Sequence, residues 1–411
     1  MYSLRLFLKS FFMFFLISCQ SNLPAQEVSK AISIEKPEVT KQKSIVVGAE
    51  QLDLLKQIVG SKKIGLVGNQ TSRVGGVHLV DTLIASGVKL VKVYSPEHGF
   101  RGDADAGEHV SSDKDPKTGL PIVSIYGSNK KPSAAQLEGI EVLLFDLQDV
   151  GARFYTYIST LHYIMEAAAE SGIPVVVLDR PNPNGHYTDG PVRKDGFESF
   201  VGMHPIPIIH GMTVGEIAQM INGEKWLKNE VQCELTVISC LNYDRDMPYS
   251  LPISPSPNLR SDEAIQLYPG LCLFEGTSLS VGRGTERPFE VFGHPALKGK
   301  PGFEYSFTPV SSFGAKEPKL KNQVCYGRDL SQYADSTRIN QFEIHWLIEA
   351  YQAMKTPDFF ITKNRWFDIL AGTDELRKQI LAGKSESEIR AAWQADLTAF
   401  KEMRKAYLIY E

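Results

Sequence analysis

Between Glu97 and His109 the stretch "EHGFRGDADAGEH" places seven titratable side chains in thirteen residues, three residues after an apolar run, "LVKV". A structural loop is built from Gly, Asn and Ser, whereas proton transfer needs carboxylates and imidazoles on a rigid support. Similar groups recur where other apolar runs end. Asn69, Gln70 and Thr71 follow "KIGLVG"; Glu97 and His98 follow "KLVKVYS"; Asp146, Gln148 and Asp149 close "VLLFDLQ"; and Asp179, Arg180, Asn182 and Asn184 follow "PVVVL". In an open α/β sheet, ligands bind beyond the carboxyl ends of parallel strands. Four polar strand ends, three with carboxylates, therefore point to one shared site.

The chemistry can be narrowed by exclusion. No G-x-G-x-x-G follows the first strand and no G-x-x-x-x-G-K-[ST] occurs, so nucleotide binding has no support. G-x-S-x-G and H-E-x-x-H are also absent, which disfavours serine hydrolases and zincins. Glu97, His98, Asp103, Asp105, Glu108 and His109 match no standard metal-ligand spacing. Carboxylates among Tyr94, Tyr126, Tyr155 and Tyr157 suit a sugar, whose hydrolysis uses an acid to protonate the leaving oxygen and a second group to activate water or attack. Arg153 and Tyr157 are four apart, so on one helix they would share a face near the strand ends.

These groups need a frame. From residue 48 helical patterns such as "AEQLDLLKQIV" alternate with runs rich in Val, Ile and Leu, which predicts a parallel sheet buried on both faces. "HLVDTLIASG" and "ARFYTYISTLHYIMEAAAESG" read as covering helices ended by glycine. Pro248, Pro252, Pro255 and Pro257 mark a connector to a second domain. That domain has strand-like pieces at 303–310 and 323–326, and helices at about 340–354 and 373–382. A long last helix carries Ile389, Trp393, Leu397, Phe400 and Met403 on one face. The expected fold is α/β: a Rossmann-like, doubly wound, mostly parallel sheet domain (46–247) followed by a smaller α+β domain (248–411) that completes the cleft.

The 411 residues are 43% hydrophobic and 22% charged, with a net charge of −4 that gives nucleic acid no general attraction. Residues 1–19, "MYSLRLFLKSFFMFFLISC", have the basic start, short apolar core and terminal "LISC" of a bacterial lipoprotein signal, with Cys19 as the lipidated residue. Residues 20–45 read as a flexible tether. The expectation is an exported, membrane-anchored lipoprotein facing the periplasm or cell exterior. Cys233 and Cys240, seven apart in a strand-like run, should face opposite sides and not pair, and with Cys272 and Cys325 they read as buried thiols.

Five segments, "SPEHGFRGDADAGE", "FDLQDVGARFYTYISTL", "LDRPNPNG", "SPSPNL" and "YPGLCLFEGTSLSVGRGTERPFE", together resemble the exo-acting β-N-acetylmuramidases of the NamZ type, long catalogued as a domain of unknown function. The likeness runs from about residue 46 to the C-terminus. It implies a Rossmann-like domain, a smaller C-terminal domain, a cleft between them, and removal of terminal N-acetylmuramic acid from the non-reducing end of peptidoglycan fragments without a cofactor. It assigns the key carboxylate to Glu97. His98, Arg101, Gln148, Asp149, Arg153, Asn182, Asn258, Glu275 and Arg283 become site-lining positions, beside Asn69 and Tyr157 from the strand-end reading. The second catalytic group is Asp149 first, Asp146 next, or a tyrosine. Arg260 and His294 stand where the family pattern has a proline and a small residue. The competing reading is a non-catalytic muropeptide-binding lipoprotein using the same cleft, and a third is a metal-dependent hydrolase.

Overall fold

The computed structural model describes residues 43–97, 99–101 and 114–411; Cys19, the tether, His98 and the acidic run 102–113 lie outside the described residues. The apolar runs form six strands: β1 (Ile64–Gly68), β2 (Leu90–Ser95), β3 (Ile122–Ser124), β4 (Val142–Asp146), β5 (Val175–Leu178) and β6 (Leu235–Ile238). They pair in the order β6-β5-β4-β1-β2-β3, and every pairing is parallel. This is the doubly wound order of the Rossmann fold, with its switch point between β1 and β4.

Side-chain alternation fills both faces. Val142 and Leu144 join Ile64, Leu66, Val176 and Leu178 on one face, under helices α1 (Leu52–Val59) and α2 (Leu79–Ala85). Leu143 and Phe145 join Val67, Val175 and Val177 on the other, under α3 (Tyr157–Ser171) and α4 (Val214–Gly223). Cys233 and Cys240 fall on opposite faces as free buried thiols, as the seven-residue spacing requires. Glycine172 ends α3 in the left-handed conformation, the usual stop for a helix.

The C-terminal part is smaller. Its antiparallel sheet places β7 (Val291–His294) and β8 (Tyr305–Phe307) on either side of β9 (Cys325–Asp329). Residues 44–411 form one unit, because one apolar cluster runs from Val67 through Phe274 and Phe292 to Phe400. The chain end returns to the first sheet: the Tyr410 hydroxyl donates to Asp179 at 2.6 Å, and Arg245 donates to the Tyr410 carbonyl at 2.6 Å.

One helix differs from expectation. The last amphipathic run is two helices, Glu386–Ala392 and Gln394–Arg404, parted at Trp393. The indole there donates to the buried Asp189 carboxylate at 3.1 Å, which also accepts from the Gly190 and Phe342 amides and from Arg390.

Candidate active site

The polar strand ends do meet at the switch point. Asn69 and Thr71 follow β1, Gln148 and Asp149 follow β4, and Glu97 follows β2 after Pro96. Tyr157 opens α3 and reaches back to the first of these ends, where its hydroxyl accepts from Asn69 Nδ2 at 2.6 Å. Beyond them lies a cavity enclosing about 450 Å³ of open space. Among the described residues lining it, Glu97 is the one carboxylate and Arg283 the one cation. Tyr126 donates to Glu97 Oε1 at 3.0 Å.

The second half of the chain supplies the opposite wall. Tyr268 lies on α5 (Asp262–Leu271) and packs edge-on against Phe154, Tyr155 and Phe289 at centroid distances of 5.4, 5.9 and 5.0 Å. Ser256 and Leu259 come from the proline-rich connector, which Tyr155 fixes by donating to the Pro255 carbonyl at 2.8 Å. Arg283 sits between Gly282 and Gly284, whose φ values are +75° and +80°; an added Cβ at Gly284 would meet the Val310 carbonyl at 2.4 Å. That left-handed pair explains "GRG" as a device for presenting the arginine. Arg283 Nε donates to Glu275 at 2.6 Å, and its guanidinium lies 4.9 Å over the Phe289 ring. The described residues offer its Nη groups no hydrogen-bond acceptor, so those donors are available to a ligand.

Several sequence-expected residues have other work. Arg153 is fully buried and donates to the carbonyls of Pro191, Ile206 and Leu370 at 2.9, 2.7 and 3.0 Å. The shared-face expectation fails because α3 begins only at Tyr157, so residue 153 is not on a helix with it. Arg101 is held by a bidentate pair with Asp115, both contacts at 2.8 Å, and that guanidinium holds the Asp115 carboxyl down at about 2. Gln148 donates to the carbonyls of Asp149 and Pro181, each at 2.8 Å. Asn182 donates to Met212 and accepts from the Asn184 amide; an added Cβ at Gly151, at φ +78°, would lie 2.3 Å from its Oδ1. Asn258 donates to the Gly314 carbonyl at 2.7 Å and fixes the connector turn. Tyr94 belongs to the core, with its hydroxyl donating to the Gln136 carbonyl at 2.8 Å.

The two candidate second carboxylates do not line the cavity. Asp146 is buried in a bidentate pair with Arg180, at 2.6 and 2.9 Å. Asp149 accepts from the Gly151 amide at 2.7 Å, its other oxygen has no hydrogen-bond partner among the described residues, and burial pushes its carboxyl up to about 7. Nearby His210 Nδ1 accepts from the Met212 amide, and burial pushes this imidazole down to about 3, so it is neutral. The candidate metal ligands His98, Asp103, Asp105, Glu108 and His109 lie outside the described residues. Tyr268, Phe289 and Leu259 were not singled out from the sequence; two of them stand in "YPG" and "RPFE", and only the packing shows that they face Glu97. A larger hollow of about 670 Å³, bounded by Pro183, Tyr249, Gln266 and Arg338, does not include Glu97.

With this geometry in place, comparison with known proteins identifies the lineage. Residues 64–263 match the family model "Exo-beta-N-acetylmuramidase NamZ, N-terminal", and residues 266–410 match its C-terminal counterpart. The chain belongs to the NamZ family. It is 38% identical over 403 residues to the peptidoglycan β-N-acetylmuramidase NamZ of Bacillus subtilis (strain 168), covering 91% of this chain and 94% of that protein. Two crystal structures of DUF1343 family proteins from Bacteroides fragilis NCTC 9343 share the fold. One is 45% identical with a TM-score of 0.81, covering 90% of this chain and 99% of that one. The other is 30% identical with a TM-score of 0.75, covering 89% and 99%. Family membership places the Rossmann-type sheet and the smaller antiparallel domain in one recurrent architecture, and the two family models meet close to the start of α5.

Proposed function

We propose that this chain is an exo-β-N-acetylmuramidase that releases N-acetylmuramic acid from the non-reducing ends of peptidoglycan fragments in cell-wall turnover or recycling. The observation that carries the reading is one cavity at the strand ends lined together by Glu97, Arg283 and aromatic side chains. N-acetylmuramic acid carries a lactyl carboxylate, and arginine pairs with carboxylates through two parallel hydrogen bonds. Of Arg101, Arg153 and Arg283, the first two are engaged by Asp115 and by backbone carbonyls, while Arg283 lines the cavity with its Nη donors unclaimed among the described residues.

Glu97 is the general acid that protonates the glycosidic oxygen as the bond to C1 breaks. It stands on a short link from a buried strand, and Tyr126 fixes one of its oxygens. Glu97→Gln keeps the Tyr126 contact, because the amide oxygen still accepts, but removes the transferable proton. Turnover of the natural disaccharide should fall roughly 10²- to 10⁴-fold. A nitrophenyl N-acetylmuramide has a better leaving group and should lose distinctly less. Equal losses on both substrates would assign Glu97 another role, and unchanged rates would remove it from the site.

We also propose that Cys19 anchors the exported protein through acyl chains. The support is the lipobox-like "LISC" followed by a polar tether.

A further inference from the structure

Beside the Arg283–Glu275 pair stands a second cation with no hydrogen-bonded carboxylate among the described residues. Lys319 points its ammonium into the short 3₁₀ turn Cys272–Gly276, which carries Glu275. It donates to the carbonyls of Phe274 and Glu275, each at 3.2 Å, and to that of Thr277. The loop after β8 brings it there. The Val310 amide donates to the Gly284 carbonyl at 2.9 Å, and an added Cβ at Gly284 would meet Pro318 Cγ at 2.7 Å. Arg283 and Lys319 therefore bind the same residue, the first at the Glu275 carboxylate and the second at its carbonyl.

Three carbonyls satisfy the three N–H groups of an ammonium without cancelling its charge. Among the described residues, the charges acting on Lys319 are Glu275, which favours the ammonium, and Arg283, which opposes it. The Arg283–Glu275 ion pair, at 2.6 Å, is neutral as a unit. Such a pair offers a ligand carboxylate hydrogen bonds but no net attraction. With Lys319 the cluster carries one net positive charge, and a charge set back from bulk water acts beyond its own contacts. The neighbouring titratable groups add none near neutral pH. Burial pushes the Tyr268 phenol and the Cys272 thiol well up and the His294 imidazole down, so each is neutral.

We infer that Lys319 keeps the Arg283–Glu275 pair net positive and thereby makes the cavity prefer a sugar bearing an ionised carboxylate to its uncharged counterpart. This rests on the muramidase reading and adds the residue that sets the charge selectivity of its recognition arginine. Lys319 reaches the ligand only through Arg283, so it is a positioning residue and not a contact.

The test titrates N-acetylmuramic acid and its uncharged lactyl carboxamide calorimetrically into wild type, Lys319→Met, Glu275→Gln and the double variant. Turnover of nitrophenyl N-acetylmuramide by the wild type is measured in parallel. The readout is the ratio of the two dissociation constants, in which effects common to both ligands cancel. Glu275→Gln keeps an oxygen for Arg283 Nε and removes the charge. The wild type should prefer the acid. Lys319→Met should cut that preference roughly 10-fold, and Glu275→Gln should raise it. The double variant has the net charge of the wild type and should return to within about threefold of its ratio. Burial holds the Lys319 ammonium down at about 8, so in the wild type alone the preference should fall between about pH 7 and pH 9, where the lactyl carboxylate stays ionised. This arm needs no variant to fold. A double variant as unselective as Lys319→Met would mean that Lys319 only braces the turn, and a ratio unmoved by Lys319→Met or by pH would equally overturn the inference; in each case wild-type turnover leaves the muramidase reading intact. A wild type that neither cleaves the nitrophenyl sugar nor binds either ligand would refute that reading, and the inference with it.

Discussion

Replacing Arg283 by lysine separates recognition of the lactyl carboxylate from general integrity of the site. The arginine is presented between two left-handed glycines, its Nε bound to Glu275 at 2.6 Å and its Nη groups without a described partner. A bidentate contact to a carboxylate makes two charge-assisted hydrogen bonds, each worth about 1.5–3 kcal/mol net. Lysine retains the charge and one such bond, but it cannot bond Glu275 through Nε and reach the ligand with a planar fork. The loss is therefore about one bond, or about 2 kcal/mol, which is roughly 30-fold in kcat/KM. The assay is initial rates at subsaturating nitrophenyl N-acetylmuramide and nitrophenyl N-acetylglucosaminide. The second substrate lacks the lactyl group, so its rate should change by no more than about threefold. Equal losses on both substrates would mean that Arg283 supports the cavity rather than the carboxylate, and no loss on either would refute the pairing.

Asp149→Asn tests a residue first read as catalytic and found behind the cavity wall. Burial raises its carboxyl to about 7, above its unfolded value near 3.9, so its contribution to stability is fully present below pH 4 and is lost as pH rises through 7. At about 1.4 kcal/mol per pH unit, the amide should stabilise the protein relative to wild type by up to a few kcal/mol at pH 8 and by little at pH 4. Melting curves at the two pH values measure this, and kcat should stay within about threefold of wild type; a 10³-fold loss would restore Asp149 to the chemistry. Cys19→Ser should move the protein from the membrane to the soluble fraction with unchanged catalytic constants. Membrane retention after a salt wash would defeat the anchor.

Much of the frame was legible in the sequence. "KIGLVG", "VLLFD" and "VVVL" are continuous apolar runs, and such runs need both faces covered, which predicts a parallel sheet with helices on each side. Because a buried polar group needs a partner that the strand interiors cannot supply, Asn69, Glu97, Gln148 and Asp179 fall at the strand ends, where Asn69, Gln148 and Asp179 are buried but hydrogen-bonded. The glycine after α3 and the opposed faces of Cys233 and Cys240 were equally local matters of period and turn chemistry.

Only the tertiary structure decided which edge residues meet a ligand. Gln148, Asn182, Asn258 and Arg153 have the side chains a sugar site would use, yet backbone groups distant in sequence claim them: Pro181, Met212, Gly314 and Leu370. Tyr268 and Phe289 stand in a segment that carries the family resemblance but were not singled out, and they became cavity walls because α5 and the loop after Arg283 pack over the strand ends. A sequence fixes how many donors and acceptors a residue owns. Which of them remain unsatisfied is settled by packing, and a ligand can bind only through those.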